Sequence, residues 1–320
     1  MRSAAASSSE RLPPRSSTPE KRHGRRGRGA GPQVIVLTVA AVYLALLLTA
    51  RPAREHPIFE DLPRDRPAVI AHRGGAGIAP ENTTAAFRKA RAVGADLLEM
   101  DVRSTADGIP VVIHDDTVDR TTNGEGPVSS FRLAELRDLD AGYRFAPPED
   151  PEQRPYRGAG TSVPTLREVF ERFPEAPMIV EIKEDDPGLA DAVVGLLKEY
   201  RRSDRTVLAS FHHGILERVR RSSPETATHG TDREVARLLL ASWLFSGGLV
   251  APRYEALFVP PKSGPIPVLT RRFVAAARGR NLFVARWTID DPQRMSALAA
   301  RGVDGLITDR PELALEILSP

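Results

Sequence analysis

Two histidines in this chain each follow a short apolar run, and together they can move protons near neutral pH. His72 comes directly after Val69–Ala71, and His114 comes directly after Val111–Ile113. An imidazole titrates close to neutrality, so one histidine can accept a proton while the other donates one. A lone histidine is more often structural or merely solvated. The repeated placement makes an acid–base pair of His72 and His114 the hypothesis to test.

Three carboxylates lie within or directly after apolar runs and form a candidate metal site. Glu99 and Asp101 fall within LLEMDV, and Glu181 follows MIV. Side chains alternate along a strand, so Glu99 and Asp101, two apart, point to the same side. Two carboxylates forced together repel, and burying them unpaired is costly, a conflict that a hard cation resolves. Three carboxylates that share the cation with water and phosphate oxygens favour Ca²⁺ or Mg²⁺ over softer metals.

Two cationic side chains stand beside these acids. Arg73 follows His72, and Lys183 lies two residues after Glu181, on the same face of its strand. Each cation can neutralise a carboxylate as a structural ion pair, or hold phosphate oxygens while charge builds in a transition state, and the two roles are compatible. Imidazoles, cations and a carboxylate cradle together suit the cleavage of a phosphate ester.

Three further residues are candidates for supporting roles. Asn82, in the run PENT, can begin a helix or stand near the site, and Asp115 can orient a neighbour or cap a turn. Trp287, at the end of a predicted strand, can pack in the ordinary way or line the cavity mouth as an aromatic wall for a glycerol or head group. The run DRTT at residues 119–122 is expected to shape a loop rather than to catalyse.

These residues need a scaffold that brings strand ends together. Apolar strands alternate with helical patterns from residue 67 onward, which indicates a mainly parallel sheet. The predicted strands are Ala68–Ala71, Leu97–Val102, Met178–Ile182, Thr206–Ser210, Thr226–His229, Ala256–Val259, Leu282–Trp287 and Gly305–Ile307. The predicted helices are Asn82–Val93, Thr165–Phe173, Leu189–Tyr200, Ile215–Arg221, Thr231–Leu244, Arg271–Arg278, Asp291–Arg301 and Pro311–Ile317. About eight strands fit a closed TIM (β/α)₈ barrel, whose active sites lie at the C-terminal strand ends.

The alternation lapses after the second strand. Residues 116–164 contain scattered glycines and a part rich in Pro and Glu, and they predict an inserted loop region beside the site.

Several motifs resemble those of the glycerophosphodiester phosphodiesterase family. The segments are HRG…APENT, ExDV…TxDGxxVVxHD and DRTTxGxG, followed downstream by EIK, SF, RWT and GVDGLITDRP. The resemblance covers roughly residues 66–318, and motifs in the correct order are far more specific together than any one alone. The family carries an insertion at the place predicted above. The resemblance also implies that Glu99, Asp101 and Glu181 bind the metal.

The resemblance implies a metal-dependent enzyme that hydrolyses a glycerophosphodiester to glycerol 3-phosphate and an alcohol by acid–base catalysis with two histidines. A lysophospholipase D that acts on lysophospholipids at the membrane is the alternative. Residues 238–250 (LLLASWLFSGGLV) could rest at an interface, although a buried barrel helix is the favoured interpretation. A binding protein on a catalytically dead barrel is a third hypothesis, and the intact histidines and carboxylates argue against it.

The N-terminal part predicts a membrane anchor. Residues 1–33 are basic and rich in Ser, Pro and Gly, so a disordered tail is expected. The uncharged run at residues 34–50 would span roughly 26 Å as a helix, near the lower limit for crossing a bilayer. Residues 51–66 read as a polar linker, and residues 67–320 hold the barrel.

The distribution of charge bears on location and partners. Residues 1–28 carry eight Lys and Arg against two Glu, whereas the net charge of the whole chain is +3. The remainder is therefore slightly acidic, which argues against a nucleic-acid partner. The positive-inside rule keeps the basic tail cytoplasmic and places the catalytic domain outside, as a single-pass protein of the cell membrane. Secretion after signal cleavage is the alternative, although no clean small-x-small site lies near Ala50.

Overall fold

The computed structural model describes residues 31–260 and 262–319. The predicted disordered tail at residues 1–33 lies almost wholly outside the described residues. Within the described residues the chain divides into two units, one that ends at Ala45 and one that begins at Leu46.

The first described element is a single apolar helix, α1 (Pro32–Thr49). It contains no Asp, Glu, Lys or Arg, and none of its side chains is buried. Eighteen residues make a helix about 27 Å long, close to the thickness of the hydrocarbon core of a bilayer. By length and composition alone it is one candidate membrane-spanning helix, two residues ahead of its predicted start.

The second unit is built on a barrel of eight parallel strands. In chain order, the strands of this unit, including three (β3, β8 and β9) that lie outside the barrel circuit, are β1 (Ala68–Ala71), β2 (Leu97–Ser104), β3 (Pro110–Val112), β4 (Met178–Ile182), β5 (Thr206–Ala209), β6 (Ala227–Thr228), β7 (Ala256–Val259), β8 (Lys262–Ser263), β9 (Ile266–Pro267), β10 (Phe283–Arg286) and β11 (Gly305–Thr308). The order around the barrel is β6-β5-β4-β2-β1-β11-β10-β7. A parallel bridge between His229 and Ala256 links the two end strands, so the circuit is nearly closed and the predicted (β/α)₈ barrel is confirmed.

Helices cover the outside of the barrel. They are α2 (Thr84–Val93), α3 (Leu133–Arg137), α4 (Leu166–Arg172), α5 (Pro187–Glu199), α6 (His213–Ser222), α7 (Asp232–Trp243), α8 (Arg271–Arg278), α9 (Pro292–Ala299) and α10 (Pro311–Leu318). Except for α3, they match the predicted barrel helices to within two residues at each end. Side-chain caps set several starts, because a Thr or Asp oxygen accepts a free N–H of the first turn before α2, α4, α5, α8 and α9.

The barrel interior is filled below its C-terminal edge. Ile70, Leu97, Ile179, Val207 and Ile307 point inward from five strands and are all buried. Residues of the opposite parity on the same strands pack against the helices. These side chains fill the interior, so no channel runs through the barrel. The polar strand ends lie above them and form the floor of a site.

Residues 51–66 differ from the plain polar linker that the sequence predicts. Ile58 and Leu62 are buried and join the cluster inside the barrel at its N-terminal end. Phe59, in the short 3₁₀ turn Pro57–Phe59, stacks on Phe283 with ring centroids 4.8 Å apart. The apolar residues in this segment are too widely spaced to show a period, which is why composition alone indicated a linker.

Two segments lie off the barrel circuit. Strand β3 pairs antiparallel with β2, and residues 116–164 follow it as the predicted insertion, which contains α3. A small apolar cluster holds the insertion together, with Val118, Val128, Leu136 and Ala141 among its members. Strands β8 and β9 form a short hairpin between β7 and α8.

Candidate active site

A cavity of about 220 Å³ opens at the C-terminal ends of the barrel strands. Eight of the ten predicted site residues line it: His72, Arg73, Glu99, Asp101, His114, Glu181, Lys183 and Trp287. The other two, Asn82 and Asp115, contact this set from outside the cavity wall. Parallel strands end at the same edge of a sheet, and this explains why residues from distant parts of the chain meet here.

His72 lies in the turn directly after β1. Its Nδ1 is 2.6 Å from Oδ1 of Asp309, which follows β11. Burial lowers the pKa of His72, but the bond to Asp309 and the negative charge of Glu99 outweigh it, so the pKa is raised above its ordinary value. Because Asp309 holds Nδ1, Nε2 is the ring nitrogen left for a ligand.

The turn after β1 depends on its two glycines. Arg73, Gly74 and Gly75 all have positive φ, at 51°, 81° and 88°. A Cβ on Gly74 would lie 2.7 Å from the ring of Phe87, so the position has no room for a side chain. The turn aims the Arg73 N–H at Oε2 of Glu99, 2.7 Å away, and thereby ties the first strand end to the carboxylates of the second.

His114 begins a chain of charged contacts that ends at Arg73. Its Nδ1 lies 2.6 Å from Oδ1 of Asp115, whose other oxygen accepts from Arg120 at 2.6 Å. Arg120 also donates to both oxygens of Glu81, and Arg73 donates to Glu81 at 2.9 Å. Partial burial opposes the effect, but Arg120 and His114 lower the pKa of Asp115 to about 2. Asp115 therefore stays ionised and holds the His114 ring in place.

The three carboxylates form a compact group. In the β2–β4 register Asp101 lies opposite Glu181, and one oxygen from each of Glu99, Asp101 and Glu181 falls within 4.8 Å of the others. Burial, and then the charge of Asp101, raises the pKa of Glu99. Burial also raises the pKa of Glu181, although the charge of Lys183 opposes this rise. Crowded, partly buried carboxylates of this kind require a proton or a cation, and an all-oxygen donor set fits a hard divalent ion.

Two neighbours fix the orientation of Asp101. Asn82 donates from Nδ2 to Oδ2 of Asp101 at 2.9 Å and accepts from its backbone N–H at 3.2 Å. Lys183 donates to Glu181 at 2.8 Å and lies 3.5 Å from Asp101. Asn82 is not the cap of α2, because Thr83 performs that task. It instead holds a candidate metal ligand.

The wall of the cavity away from the carboxylates is aromatic. Trp287 donates from Nε1 to the carbonyl oxygen of Phe258 at 3.1 Å. Its ring is nearly perpendicular to that of Phe211, with ring centroids 6.4 Å apart. Phe211 is about half exposed, and Lys183 lies 5.7 Å from its ring centroid. A ligand in this cavity would therefore place one end among charges and the other against rings.

A third imidazole, His229, completes this wall. It follows β6 and is buried, and its ring stacks on Phe258 with centroids 5.1 Å apart. The Phe258 N–H donates to Nδ1 of His229 at 3.1 Å, across the seam where the barrel closes. Burial lowers the pKa of His229 to about 4, so the ring is neutral and carries its proton on Nε2.

Sequence reasoning did not assign roles to five residues that the structure places at the site: Glu81, Arg120, Phe211, His229 and Asp309. Glu81, Phe211 and Asp309 stand inside motifs quoted above, so their motifs were a usable signal. The sequence predicts only a loop-shaping role for Arg120, and the one signal for His229 is its place at the end of a predicted strand.

A larger cleft of about 820 Å³ lies at the opposite end of the barrel, around residues 54–67 and 278–304. Size alone would favour it as the functional site. The histidines and the carboxylate group all line the smaller cavity instead, so the chemistry of the side chains identifies the smaller cavity as the candidate active site.

Comparison with known proteins agrees with this geometry. Residues 72–313 match the model of the "Glycerophosphoryl diester phosphodiesterase family". A glycerophosphodiester phosphodiesterase from Caldanaerobacter subterraneus is 37% identical over 78% of this chain and 97% of its own length. A lysophospholipase D from Rattus norvegicus is 29% identical, over 78% of this chain and 85% of its own.

A solved structure shows the same fold. The phosphodiesterase from Oleispira antarctica, in complex with the product sn-glycerol-3-phosphate, aligns with a TM-score of 0.66 and 27% identity, over 80% of this chain and 98% of its own. The family match covers most of the chain and includes both histidines and all three carboxylates. This chain therefore belongs to the glycerophosphoryl diester phosphodiesterase family and is an enzyme of that class.

Proposed function

We propose that this protein hydrolyses glycerophosphodiesters to glycerol 3-phosphate and an alcohol, by acid–base catalysis with His72 and His114 and with the help of a divalent cation. One observation carries the proposal. Two histidines, each held at Nδ1 by an aspartate, line the same cavity as a group of three carboxylates. The Oleispira relative, solved with sn-glycerol-3-phosphate, supports a substrate of this size.

In the proposed reaction the substrate supplies its own nucleophile. One histidine removes the proton from the glycerol C2 hydroxyl, and that oxygen attacks phosphorus in line with the leaving alcohol. The second histidine donates a proton to the departing alcohol oxygen as the P–O bond breaks. Water then opens the cyclic phosphate with the proton transfers reversed. Glycerol 3-phosphate leaves, and both imidazoles return to their starting state.

The remaining groups hold the charged phosphate. Glu99, Asp101 and Glu181 would hold Ca²⁺ or Mg²⁺, which when bound supplies positive charge beside the phosphoryl oxygens. Arg73 and Lys183 line the same cavity and can donate to those oxygens. The side chains of Arg73 and Lys183 also contact the carboxylates, so they keep the acidic group compact as well.

We further propose that α1 anchors the enzyme in the cell membrane, with the basic tail in the cytoplasm and the barrel outside. A reporter fused after Pro320 should then lie outside the cytoplasm. A cytoplasmic reporter would overturn this topology, and a soluble mature protein that starts near Arg51 would instead indicate a cleaved signal peptide.

Lysophospholipase D activity is the second candidate function. The rat relative of that name and the exposed ring of Phe211 beside the cavity favour it. A turnover assay with glycerophosphocholine, glycerophosphoethanolamine and lysophosphatidylcholine, with and without Ca²⁺ and Mg²⁺, separates the two functions. No turnover of any of them by folded protein with either ion would favour a non-catalytic binding barrel.

A 2-deoxy glycerophosphodiester tests the proposed nucleophile. It keeps nearly the same size and charge but lacks the attacking oxygen, so it should bind as a competitive inhibitor and resist cleavage. Trapping a cyclic phosphate during turnover of the normal substrate would support the same route. Rapid hydrolysis of the 2-deoxy compound would show that water attacks directly.

A further inference from the structure

The end of α7 exposes a cluster of large apolar side chains. Leu240, Trp243, Leu244 and Phe245 are 54%, 41%, 66% and 74% exposed. The predicted buried barrel helix at residues 238–250 is therefore only partly right: Leu238 and Leu239 are buried, but the four side chains above are exposed. Single exposed apolar residues are ordinary, whereas four within one turn and a half mark a surface that contacts something apolar.

Four exposed arginines border this cluster. Arg233 and Arg237 lie three to seven residues before Leu240, on the same face of α7. Arg272 lies over the ring of Phe245 at 4.6 Å, next to Arg271. None of the four forms an ion pair with a carboxylate among residues 31–260 and 262–319. Apolar side chains flanked by unpaired cations complement a surface of lipid phosphates above acyl chains.

The chain enters the barrel unit beside this cluster. The guanidinium of Arg280 donates to the carbonyl of Ala50 at 2.8 Å and to the carbonyl of Gly248 at 3.0 Å. Ala50 is the residue directly after α1, and Gly248 lies three residues after Phe245. One buried arginine thus fixes the start of the barrel unit next to the apolar cluster.

The same entry point lies at the end of the barrel opposite the active site. Ala53 bonds through its N–H to Arg280 and through its carbonyl to Asn281, just before β10 begins. Trp287, in the cavity wall, comes six residues after Asn281, at most about 20 Å along an extended strand. Any membrane segment that precedes Ala50 is therefore joined to the N-terminal ends of the strands, away from the cavity mouth.

We propose that Leu240, Trp243, Leu244 and Phe245 form a lipid-contact surface that rests in the head-group region of the bilayer, with the cavity mouth turned to the water. This inference rests on the proposed membrane anchor. The four apolar side chains enter the edge of the acyl region, and the flanking arginines reach the anionic phosphates. The surface lies near Ala50, where the chain enters the barrel, so its contact with lipid would orient the barrel.

The two tryptophans of the chain allow a direct test. The full-length protein is reconstituted in nanodiscs of phosphatidylglycerol and phosphatidylcholine with brominated acyl chains, which quench tryptophan on contact. The Trp287→Phe variant reports Trp243 alone, and the Trp243→Phe variant reports Trp287 alone. Trp243 should lose its emission relative to unbrominated discs, and Trp287 should not. Unquenched Trp243, or equal quenching of both, overturns the proposal.

Matched variants separate a lipid surface from a protein interface. Leu244→Ser with Phe245→Ser should reduce the quenching of Trp243, whereas Ile266→Ser, at an exposed apolar residue of the β8–β9 hairpin, should not. If the double variant instead abolishes self-association in detergent and the wild type shows no quenching, the surface binds a second copy and the lipid proposal is wrong.

Two further measurements on the same samples keep the proposals separate. Extraction by alkaline carbonate would refute the anchor, and the lipid-contact surface with it. If the wild-type protein in the same discs does not turn over glycerophosphocholine, while Trp243 is quenched in the Trp287→Phe variant, the proposed reaction is refuted and the lipid-contact surface stands.

Discussion

Each histidine of the site is held by an aspartate through the same ring nitrogen. Asp309 binds Nδ1 of His72, and Asp115 binds Nδ1 of His114, both at 2.6 Å. A carboxylate in this position accepts a hydrogen bond from the Nδ1–H of the neutral ring and stabilises the charged ring. Both imidazoles are thereby prepared to exchange protons through Nε2, and this is the arrangement that a paired acid and base require.

Replacing either histidine should slow the reaction strongly. His72→Ala and His114→Ala should each lower kcat by at least about 100-fold, the usual scale for lost acid–base catalysis. Steady-state kinetics with glycerophosphocholine provide the measurement, and circular dichroism confirms folding. His213→Ala, at the start of α6 and outside the cavity wall, is the matched control and should stay near wild type. Near-normal turnover in a folded His72 or His114 variant would refute the pair.

The carboxylate group predicts dependence on a divalent ion. Chelation should abolish turnover, and Ca²⁺ or Mg²⁺ should restore it. Glu181→Gln removes one ligand charge and should raise the ion concentration for half-maximal turnover by at least about tenfold, since even outer-shell changes reach this size. Asp119→Asn alters a solvent-exposed carboxylate of the insertion and should leave that concentration unchanged. Full activity in excess EDTA, with metal removal verified, would rule out a required ion.

At the scale of elements, the sequence predicts the strands and helices well and the connections poorly. Strands β1 and β7 are wholly buried and form unbroken apolar runs, so their bounds are predicted without error. Contacts between residues that are far apart in the sequence have no comparable sequence pattern. Asp309 lies 237 residues after His72, and only the pairing of β1 with β11 brings them together. Residues 51–66 were missed because their burial depends on a barrel already formed.

The insertion supplies an unexpected contact to the site. Arg120 joins Asp115 to Glu81 and thus fixes the support of His114. Arg120→Ala should lower kcat by about 10- to 100-fold with little change in KM, because small misplacement of a catalytic group costs this much. Arg120→Lys should recover only part of the loss, since an ammonium cannot bind both carboxylates with a planar fork. An unchanged kcat in Arg120→Ala would show that Asp115 needs no such support.

The seam between β6 and β7 should weaken in acid. His229 has its pKa lowered to about 4, against an ordinary 6.5, so the folded protein binds its proton less readily than the unfolded chain. The contribution of His229 to the free energy of unfolding is therefore fully present above about pH 6.5 and is lost as the pH falls toward 4. The physical reason is that a protonated Nδ1 would face the Phe258 N–H. His229→Gln keeps an acceptor and cannot titrate.

Urea denaturation at two pH values measures this effect. Between pH 7.5 and 5 the wild type should lose about 2 kcal/mol more free energy of unfolding than His229→Gln, as the two pKa values require. The comparison of two proteins cancels the titration of the other histidines. Equal losses in both would mean that His229 is not held neutral at the seam.

At the scale of the whole molecule, the two ends of the barrel serve different purposes. The C-terminal strand ends carry the charged and aromatic cavity, and the N-terminal ends carry the entry of the chain at Ala50 and Ala53. In the proposed anchored arrangement, the site would face the water. In that arrangement a diffusible glycerophosphodiester would reach the site more readily than a lipid held in the bilayer.

The proposed orientation predicts which substrates reach the site. The full-length protein in nanodiscs should hydrolyse glycerophosphocholine, and should leave long-chain lysophosphatidylcholine embedded in the same discs largely intact.

A short-chain, water-soluble 1-acyl lysophosphatidylcholine separates access to the site from the chemistry of cleavage. Its C2 hydroxyl is free, so it should be cleaved if the chemistry tolerates an acyl group. Diacyl phosphatidylcholine, which has no free C2 hydroxyl, should resist in any form. Faster cleavage of the embedded lysolipid than of glycerophosphocholine would show that the mouth faces the bilayer, and the lysophospholipase D function would then be preferred.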